Sequence, residues 1–410
     1  MNVQLISPEK IVIEVQHIPA LRKDVYTLKA FDDKTILFFD ALSKKIVSNT
    51  SINRLPEMVA LSFWIRKANL NKIKEDNSYL FQQKNVLLAP LGKVFHICPA
   101  NVDTMFIYSL AVSVLMGNKN ILRISERMDA PQIQILFQLL SELLQQSEFE
   151  LFKSYINLIS YAHDEVISTY ISQQSNARII WGGDNTINTF RDFKPSPRTH
   201  DIIFADRISI AVIECASFNY LDEKGKLQFA NKFFNDAYTF DQKGCSSPQT
   251  VYFIGDKIAF DNCVQVLSEL LSNISRKKYE TDISSLASLK LNQMVDDTLG
   301  HLMQNKIGDN YSTFAIMDEN SLDKELHSCG GGYFYAKQLS NIKDLESGIS
   351  VKMQTIAYFG LSETQLSNLK EMACGEGIDR IVPIGDALDF HYVWDGYNLL
   401  ETLSRKVFIK

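Results

Sequence analysis

The chain has 410 residues, of which 46% are hydrophobic, a content that supports packed cores and argues against disorder. Because one hydrophobic core rarely organises so long a chain, two or more lobes are expected. The 42 Lys and Arg nearly balance the 48 Asp and Glu, without blocks of like charge, so the sequence carries no electrostatic footprint for nucleic acid.

Residues 1–74 mix short β-like runs with one predicted helix. The β-like runs are KIVIEV (10–15) and KTILFFD (34–40), and the helix is predicted at 57–68. The first ten residues place a glutamate and a lysine where a signal peptide needs its apolar run, so secretion by that route is not expected.

Residues 94–181 alternate short apolar runs with longer amphipathic segments. VFHIC, NILRI, INLIS and ARIIW predict strands, and the segments 104–116, 132–145 and 165–174 between them predict helices. This alternation predicts parallel strands with right-handed crossovers, the doubly wound α/β sheet of dinucleotide-binding proteins. The longest apolar segment, 104–116, is too short for a bilayer, which takes about 20 residues, so no membrane span is expected.

Polar residues and glycines follow these strands at their carboxyl ends, where ligands bind in such sheets. Asn101 follows the first strand, Arg123 ends the second, and Gly182 and Gly183 follow the fourth and open a helix. Glycines let a backbone approach a ligand, and a helix N-terminus favours an anionic one. The alternative is that the two glycines only form a tight turn, with Asp184 as the N-cap.

The pattern continues beyond residue 207 as a second α/β lobe. ISIAVIE and TVYFIG predict strands, LQFANKFFNDAY predicts a helix, and the spacing of apolar residues predicts another helix over 260–275. The glycine run at 330–332 is interpreted as a flexible turn, since no lysine with P-loop spacing follows it.

One cysteine, Cys245, lies in the polar, turn-forming segment FDQKGCSSPQT, although cysteine is normally among the most buried residue types. A nucleophilic thiol needs exposure and an electropositive environment such as backbone N–H groups, which small neighbouring residues permit. The six cysteines of the chain include no CxxC pair, so neither a disulfide framework nor a metal site is expected. From these residues alone, Cys245 is either incidental or a nucleophile.

The segment HICPANVDTMFIYSLAVSVLMGNKNILRISE (96–126) resembles the aldehyde dehydrogenase stretch of strand, Pro-x-Asn, helix, Gly-Asn, strand and Lys-Pro-Ser-Glu. DQKGCSSPQTVYF, IIWGGDN and the tail RIVPIGDALDFHYVWDGYNLLETLSRKV resemble more narrowly the LuxC-type acyl-CoA reductases, the fatty-acyl reductases of bacterial luminescence. The resemblance implies an aldehyde dehydrogenase-like α/β fold. The domains it implies are an N-terminal segment with a Rossmann-type dinucleotide-binding domain, an α/β catalytic (thiol) domain, and a tail that returns to the cofactor domain or an oligomer interface: 1–205, 206–375 and 376–410.

The resemblance also implies site residues. Cys245 resembles the nucleophile that takes an acyl group from a thioester, and Asn101 the asparagine whose amide, with the Cys245 N–H, binds the oxyanion. Arg123 replaces the lysine that contacts the adenosine ribose, and its guanidinium suits a 2′-phosphate, so NADPH is expected. Glu126 would repel that phosphate and leaves NADH open. The other implied cofactor-binding residues are Ser125, Glu126, Gly182 and Gly183.

Two features depart from the aldehyde dehydrogenase pattern. DIIFADRISIA (201–211) has no glutamate in the place of the one that activates hydrolytic water, which favours thioester chemistry, although Asp206 lies close by. The Glu-x-Phe-Gly-Pro segment that holds the nicotinamide ribose is not found. His200, before the same strand, is a candidate general acid or base, with a surface or capping histidine as the alternative.

The main hypothesis is a cytoplasmic, NADPH-dependent acyl-CoA reductase that forms a fatty aldehyde from an acyl-CoA thioester through an acyl-enzyme on Cys245. The resemblance also implies a homo-oligomer, an acyl-CoA or acyl-carrier substrate and an acyl-protein synthetase as a candidate partner. The alternatives are an NAD(P)-dependent aldehyde dehydrogenase that oxidises aldehyde to acid, with Asp206 or a relayed water as base, and an inactive aldehyde dehydrogenase-like scaffold.

Overall fold

The structure is a computed structural model that describes residues 1–23, 28–98, 104–125, 128–317, 326–375 and 377–410. These residues form two compact units. The first comprises Met1–Asp206 and Phe390–Lys410, and the second comprises Arg207–Asp389. Each unit contains parallel strands connected through helices, so the predicted α/β fold class is confirmed.

The main sheet of the first unit, in its described part, has the strand order β2-β1-β6-β5-β4-β7-β8. Strands β6, β5, β4, β7 and β8 are parallel, and β1 joins their edge in antiparallel orientation. The four strands predicted between 94 and 181 are confirmed as β4, β5, β6 and β7. The elements of residues 1–206 are β1 (Asn2–Ser7), β2 (Ile11–Glu14), α1 (Asp33–Ser48), α2 (Pro56–Ile65), α3 (Lys67–Asp76), β3 (Val86–Pro90), β4 (Lys93–Ile97), α4 (Met105–Leu115), β5 (Lys119–Arg123), α5 (Pro131–Leu144), β6 (Ile156–Ser160), α6 (Glu165–Gln174), β7 (Ala177–Trp181), α7 (Asp184–Asp192) and β8 (His200–Phe204).

The run KTILFFD, interpreted above as β-like, lies inside helix α1, so that interpretation is wrong. The Asp32 carboxylate caps the helix by accepting a hydrogen bond from the Lys34 N–H, at 3.0 Å. Buried side chains such as Ile36, Phe39 and Ile46 are three and seven residues apart, a spacing that places them on one face of a helix. A strand would have placed alternate members of this run in solvent.

Two buried polar side chains connect the strands of the first sheet. His96 of β4 uses its ring nitrogens to hydrogen-bond Ser109 Oγ of α4 at 2.8 Å and Asn120 Oδ1 of β5 at 2.9 Å. Burial lowers the pKa of His96 to about 4, so its imidazole is neutral at physiological pH. Arg178 of β7 makes a bidentate ion pair with Asp201 of β8, with N–O distances of 2.6 and 2.7 Å. These contacts link β4 to β5 and β7 to β8.

The second unit contains a sheet whose described strands have the order β11-β12-β13-β10-β9-β14-β15. Neighbouring strands are parallel except for the antiparallel pair β11 and β12. The strand predicted at ISIAVIE coincides with β9, and the helices predicted at LQFANKFFNDAY and at 260–275 lie within α9 and α10. The elements of this unit are β9 (Ile208–Glu214), α8 (Cys215–Tyr220), α9 (Glu223–Tyr238), β10 (Pro248–Ile254), α10 (Lys257–Lys278), α11 (Ile283–Leu299), β11 (Met303–Gly308), β12 (Thr313–Met317), β13 (Tyr333–Leu339), β14 (Met353–Phe359), α12 (Glu363–Met372) and β15 (Arg380–Pro383).

The last residues of the chain belong to the first unit, where β18 pairs antiparallel with β3. The units divide after Asp206 and after Asp389, whereas the domains implied by the resemblance divide after residues 205 and 375. Of the described helices, none combines the length and apolar character that a membrane crossing needs. The elements of this segment are β16 (Val393–Trp394), β17 (Tyr397–Asn398), α13 (Leu399–Thr402) and β18 (Ser404–Phe408).

We predict that Asp201→Asn destabilises the first unit. The Arg178 side chain is only 1% exposed and also donates to the carbonyl oxygens of Phe190 and Phe193, at 2.7 and 2.8 Å, so it cannot turn towards solvent without losing those bonds. The substitution leaves a buried guanidinium without its counter-charge, and we expect the free energy of unfolding to fall by about 3 kcal/mol.

Tryptophan fluorescence during urea unfolding measures this effect, because the three tryptophans of the chain all belong to the first unit: Trp64, Trp181 and Trp394. The control is Asp192→Asn, at an exposed position at the end of α7, which should change the free energy of unfolding by less than about 0.5 kcal/mol. Equal effects of the two substitutions would contradict a stabilising role for the ion pair.

Candidate functional site

Cys245 lies in the second unit, on the loop between α9 and β10 and just before the amino end of β10. The loop is polar in composition but mostly buried, since Gln242, Ser246 and Ser247 are each 3% exposed or less. Cys245 itself is partly exposed. By contrast, Cys98, Cys215 and Cys263 are buried.

Hydrogen bonds fix the backbone on both sides of the Cys245 side chain. Ser209 Oγ, on β9, donates to the Cys245 carbonyl oxygen at 2.6 Å and accepts from the Thr355 N–H at 3.1 Å. The Ser247 N–H donates to the Gly244 carbonyl oxygen at 2.9 Å and closes a turn around Cys245. The Cα atom from which the thiol projects is therefore held in one place, as a positioned nucleophile requires.

The side-chain amide of Gln242 ties the cysteine loop to the start of β13. Its Oε1 accepts from the N–H groups of Gly332 and Tyr333, at 2.8 and 3.1 Å. Its Nε2 donates to the carbonyl oxygens of Tyr333 and Pro248, at 3.0 and 3.2 Å. One buried amide thus uses both acceptor and both donor positions on backbone groups, three of them at the start of β13 and one at the start of β10.

The glycine run at 330–332 packs against the cysteine loop, which replaces its interpretation as a flexible turn. All three glycines have φ between 64° and 84°, in the left-handed region. A Cβ atom at Gly331 would lie 2.1 Å from Leu286 Cδ1, and one at Gly332 would lie 2.2 Å from the Tyr238 hydroxyl oxygen. The Gly331 N–H also donates to Asp241 Oδ1 at 2.9 Å. Both conformation and space therefore require glycine here.

Lys290 of α11 supports the glycine run although its side chain is fully buried. Its ammonium group donates to the carbonyl oxygens of Asn310 and Gly332, at 3.0 and 3.2 Å, and to Thr313 Oγ1 at 3.3 Å. Burial is the largest influence and lowers the pKa of Lys290 to about 8. The sequence pattern gave no sign of this role, because a lysine on an amphipathic helix is ordinarily solvated.

The predicted cofactor-binding residues of the first unit share one edge of its sheet. Arg123 ends β5, Gly182 and Gly183 follow β7, and β4 lies between these two strands in the parallel sheet. Their positions therefore lie along the carboxyl edge, where ligands bind in doubly wound sheets. Ser125 follows Arg123 by two residues at the same edge.

Two predicted site residues, Asn101 and Glu126, lie outside the residues that the structure describes. His200, the candidate acid or base, is exposed and begins β8, where it pairs in register with Ala177 at the start of β7. It therefore lies at the amino edge of the first sheet, away from the edge that carries Arg123 and Gly183.

Gly183 leaves space at the start of α7. It is the N-cap of that helix and Asp184 is the first helical residue, so the tight turn with Asp184 as N-cap is not the arrangement found. With a φ of −67°, Gly183 has a backbone conformation open to any residue, and a Cβ atom there would have no heavy atom within 4 Å. What glycine provides here is room beside a helix N-terminus, which favours anionic ligands.

The Arg123 guanidinium lies over the ring of Tyr161, with its Cζ atom 4.9 Å from the ring centre. Its Nε is buried and has no hydrogen-bond partner among the described residues. The neighbouring Cys98 is unsuited to nucleophilic chemistry, since burial raises the pKa of its thiol, against a smaller opposing influence of the Arg123 charge. Arg123 itself is partly exposed at this edge.

The model of one protein family, described as acyl-CoA reductase (LuxC), matches residues 51–406. The chain belongs to the LuxC acyl-CoA reductase family. A "Long-chain acyl-protein thioester reductase 2" of Photobacterium leiognathi is 27% identical over 205 residues, which cover 49% of this chain and 40% of that protein. A "Long-chain acyl-protein thioester reductase" of Aliivibrio fischeri is 24% identical over 305 residues, which cover 72% of this chain and 59% of that protein. The matched segments thus span about half the length of these relatives.

Solved structures with a similar fold are aldehyde dehydrogenases and related oxidoreductases. Lactaldehyde dehydrogenase matches this LuxC-family chain with a TM-score of 0.64 and 11% identity over 96% of this chain and 87% of that chain. An oxidoreductase from Marinobacter aquaeolei matches with a TM-score of 0.67 and 9% identity over 100% of this chain and 94% of that chain. These matches confirm the aldehyde dehydrogenase-like fold.

We predict that Gln242→Met loosens the cysteine loop. Methionine has a similar length but cannot replace the four hydrogen bonds of the amide, so four backbone groups each lose one bond. The N–H and carbonyl oxygen of Tyr333 keep second partners in Gly330 and Ser328. We expect the free energy of local opening to fall by about 2–3 kcal/mol, which corresponds to amide hydrogen exchange about 30- to 150-fold faster. Hydrogen-exchange mass spectrometry of peptides that cover 240–250 and 328–335 measures this change.

The matched control is Gln249→Met at the start of β10, since Gln249 Oε1 accepts one hydrogen bond, from the Ser328 N–H at 3.0 Å. Its effect on exchange should be several-fold smaller. If both variants exchange at the wild-type rate, the Gln242 amide does not hold the loop.

We predict that Lys290 makes the second unit more stable as the pH rises above about 8. The pKa of Lys290 is about 8 in the folded chain and about 10.4 in an unfolded one, so between these values the unfolded state holds more protons. The free energy of unfolding should therefore rise with pH in this window, by an amount on the order of 3 kcal/mol, and the cost of the buried charge is fully present below pH 8.

Urea unfolding followed by circular dichroism from pH 7.5 to 10.5 tests this dependence as the difference between wild type and Lys290→Met. The variant Lys306→Met, at an exposed position of β11, is the control and should keep the alkaline rise. A wild-type curve parallel to that of Lys290→Met throughout this range would contradict the prediction.

Proposed function

We propose that this protein is a nicotinamide-dependent reductase that converts an acyl thioester into an aldehyde through an acyl-enzyme on Cys245. The observation that carries this proposal is the match to the acyl-CoA reductase family over 51–406, which includes both Cys245 and Arg123. The partial exposure of Cys245 on a loop held by buried hydrogen bonds supports it. A nucleophile that must meet a large substrate needs access and a fixed position together.

In the proposed reaction, the Cys245 thiolate attacks the carbonyl carbon of the thioester. A bond forms between that carbon and the Cys245 sulfur, and the bond to the departing thiolate breaks, so that coenzyme A leaves and takes up a proton. Asn101, with the Cys245 N–H, is the proposed donor pair for the oxyanion, an interaction worth about 3 kcal/mol per donor in related chemistry. After reduction to the thiohemiacetal level, expulsion of the Cys245 thiolate releases the aldehyde.

Residues 201–211 support reduction over hydrolysis. They form β8, a short connection and the start of β9, and they contain no glutamate, the residue that activates water in oxidising aldehyde dehydrogenases. Asp206 is exposed and is followed in the chain by the first residue of the second unit. Without a base to activate water beside the thioester, the acyl group stays on sulfur long enough to be reduced or returned to coenzyme A.

The residues at the carboxyl edge of the first sheet fit a dinucleotide, and we propose NADPH. Gly183 leaves room at the N-terminus of α7 for an anionic group, and the Arg123 guanidinium offers a cation suited to a 2′-phosphate. Ser125, Gly182 and Glu126 are the further residues proposed to contact the cofactor. When bound, the reduced nicotinamide supplies a hydride to the carbonyl carbon.

The acyl donor is proposed to be a thioester of coenzyme A or of a carrier protein. The relatives described above are named as reductases of acyl-protein thioesters, which motivates the second source. A panel of acyl-CoAs of graded length, compared with acyl groups carried on a protein thiol, separates the two sources. An acyl-protein synthetase partner and a homo-oligomeric assembly stay predictions.

We predict that acyl-CoA in the absence of reductant acylates wild-type protein and leaves Cys245→Ala unmodified. Intact-mass and peptide mass spectrometry measure the adduct and its position. Cys374→Ala is the matched control, because Cys374 is an exposed cysteine and should be dispensable for the adduct. Folding should be retained in both variants, since neither removes a core side chain. An adduct on Cys245→Ala equal to that on wild type would overturn the proposal.

Two activity measurements separate the proposed reductase from its alternatives. Consumption of NADPH with formation of aldehyde from acyl-CoA is expected, and a higher kcat/KM with NADH would overturn the choice of cofactor. Conversion of aldehyde to free acid without coenzyme A would instead identify an oxidising aldehyde dehydrogenase. The absence of both an adduct and turnover would identify the protein as the inactive scaffold.

A further inference from the structure

The Arg123 guanidinium lies over the ring of Tyr161 at the carboxyl edge of the first sheet. Arg123 is the last residue of β5 and lies opposite Ile159 of β6 in the parallel register. Tyr161 follows β6 directly and comes two residues after Ile159. The guanidinium carbon lies 4.9 Å from the centre of the Tyr161 ring, within the range of a cation–π interaction.

The Tyr161 side chain has a fixed position. Its residue is 8% exposed, and its hydroxyl lies 3.1 Å from Ser168 Oγ of α6. Because the Ser168 hydroxyl donates to the Asp164 carbonyl oxygen at 2.8 Å, the Tyr161 hydroxyl is the donor of the pair. With one face under Arg123 and little exposed surface, the ring supports the guanidinium and is not itself available for stacking on a ligand.

The ring contact compensates for a hydrogen bond that Arg123 lacks. Its Nε is buried without a hydrogen-bond partner among the described residues, so the inner part of the guanidinium is held by the aromatic face. An aromatic ring in contact with a guanidinium restricts its orientation while leaving its outer N–H groups able to donate. Phosphate groups are recognised by such in-plane, paired donors.

We propose that Tyr161 is a specificity-determining positioning residue, whose ring orients Arg123 to bind the 2′-phosphate of a dinucleotide and so favours NADP over NAD. The inference rests on the proposed function for the class of ligand that binds at this edge. It assigns to Tyr161 the discrimination between the two dinucleotides, and no part in the chemistry at Cys245.

The test uses the full chain and measures the dissociation constants of NADP⁺ and NAD⁺ by isothermal titration calorimetry. In wild type, NADP⁺ should bind more tightly. Tyr161→Leu, which removes the ring, should reduce the preference for NADP⁺ by about 2- to 30-fold, the range expected for loss of a cation–π contact. Tyr161→Phe keeps the aromatic face and should stay within about twofold of wild type. An unchanged preference in Tyr161→Leu would overturn the inference.

A second series keeps the proposal testable if Tyr161→Leu does not fold. Phenylalanines with one, two and three ring fluorines at position 161 preserve the shape of the ring while they weaken the negative potential of its face. The preference for NADP⁺ should fall with each added fluorine, whereas a purely structural role predicts the same preference throughout. In the Arg123→Met background the fluorine series should have no effect on the preference, because the cation is absent.

The binding assay also separates failure of this inference from failure of the proposed function. Acylation of Cys245 by acyl-CoA needs no dinucleotide and is measured independently. If wild type forms the adduct but binds NADP⁺ no more tightly than NAD⁺, the inference about Tyr161 is wrong and the acyl-enzyme stands. If wild type binds NADP⁺ preferentially but forms no adduct, the chemistry at Cys245 is wrong and the discrimination by Tyr161 stands.

Discussion

The side-chain amide of Gln242 is the interaction on which the geometry of the Cys245 loop depends. It joins the backbone of the glycine run and of Tyr333, at the start of β13, to the Pro248 carbonyl oxygen, at the start of β10. Lys290 holds the far side of the glycine run, through the Gly332 carbonyl oxygen. Buried hydrogen bonds of the loop thereby position the thiol, while Cys245 itself stays partly exposed.

The two units present their candidate groups at opposite kinds of sheet edge. In the first unit, Arg123 and Gly183 lie where parallel strands end, beside a helix N-terminus that favours anions. In the second unit, Cys245 lies near the amino ends of three neighbouring strands, β13, β10 and β9. Its loop leads into β10, and Ser209 of β9 donates a hydrogen bond to its carbonyl oxygen. The first arrangement suits a phosphate-bearing ligand, and the second suits a nucleophile placed on a loop.

The parts of the fold that follow from local sequence could be predicted. The strands of the first sheet are short apolar runs separated by amphipathic helices, and each assignment needed only a window of about ten residues. The run KTILFFD was interpreted wrongly because an apolar run of this length can be a strand or part of a buried helix, and the helical spacing is clear only over the whole of α1. The role of Gln242 was missed because its partners Gly332 and Tyr333 lie about 90 residues away. The contact of Arg123 with the Tyr161 ring could not be predicted because it depends on strand register.

The most direct test of the central claim, that Cys245 carries an acyl group shielded from hydrolysis, is the amount of coenzyme A released when protein and acyl-CoA are mixed without reductant. We expect a burst of one coenzyme A per chain that then stops, and renewed release with one aldehyde formed for each NADPH added. Continuous release of coenzyme A without reductant, or no burst at all, would contradict it.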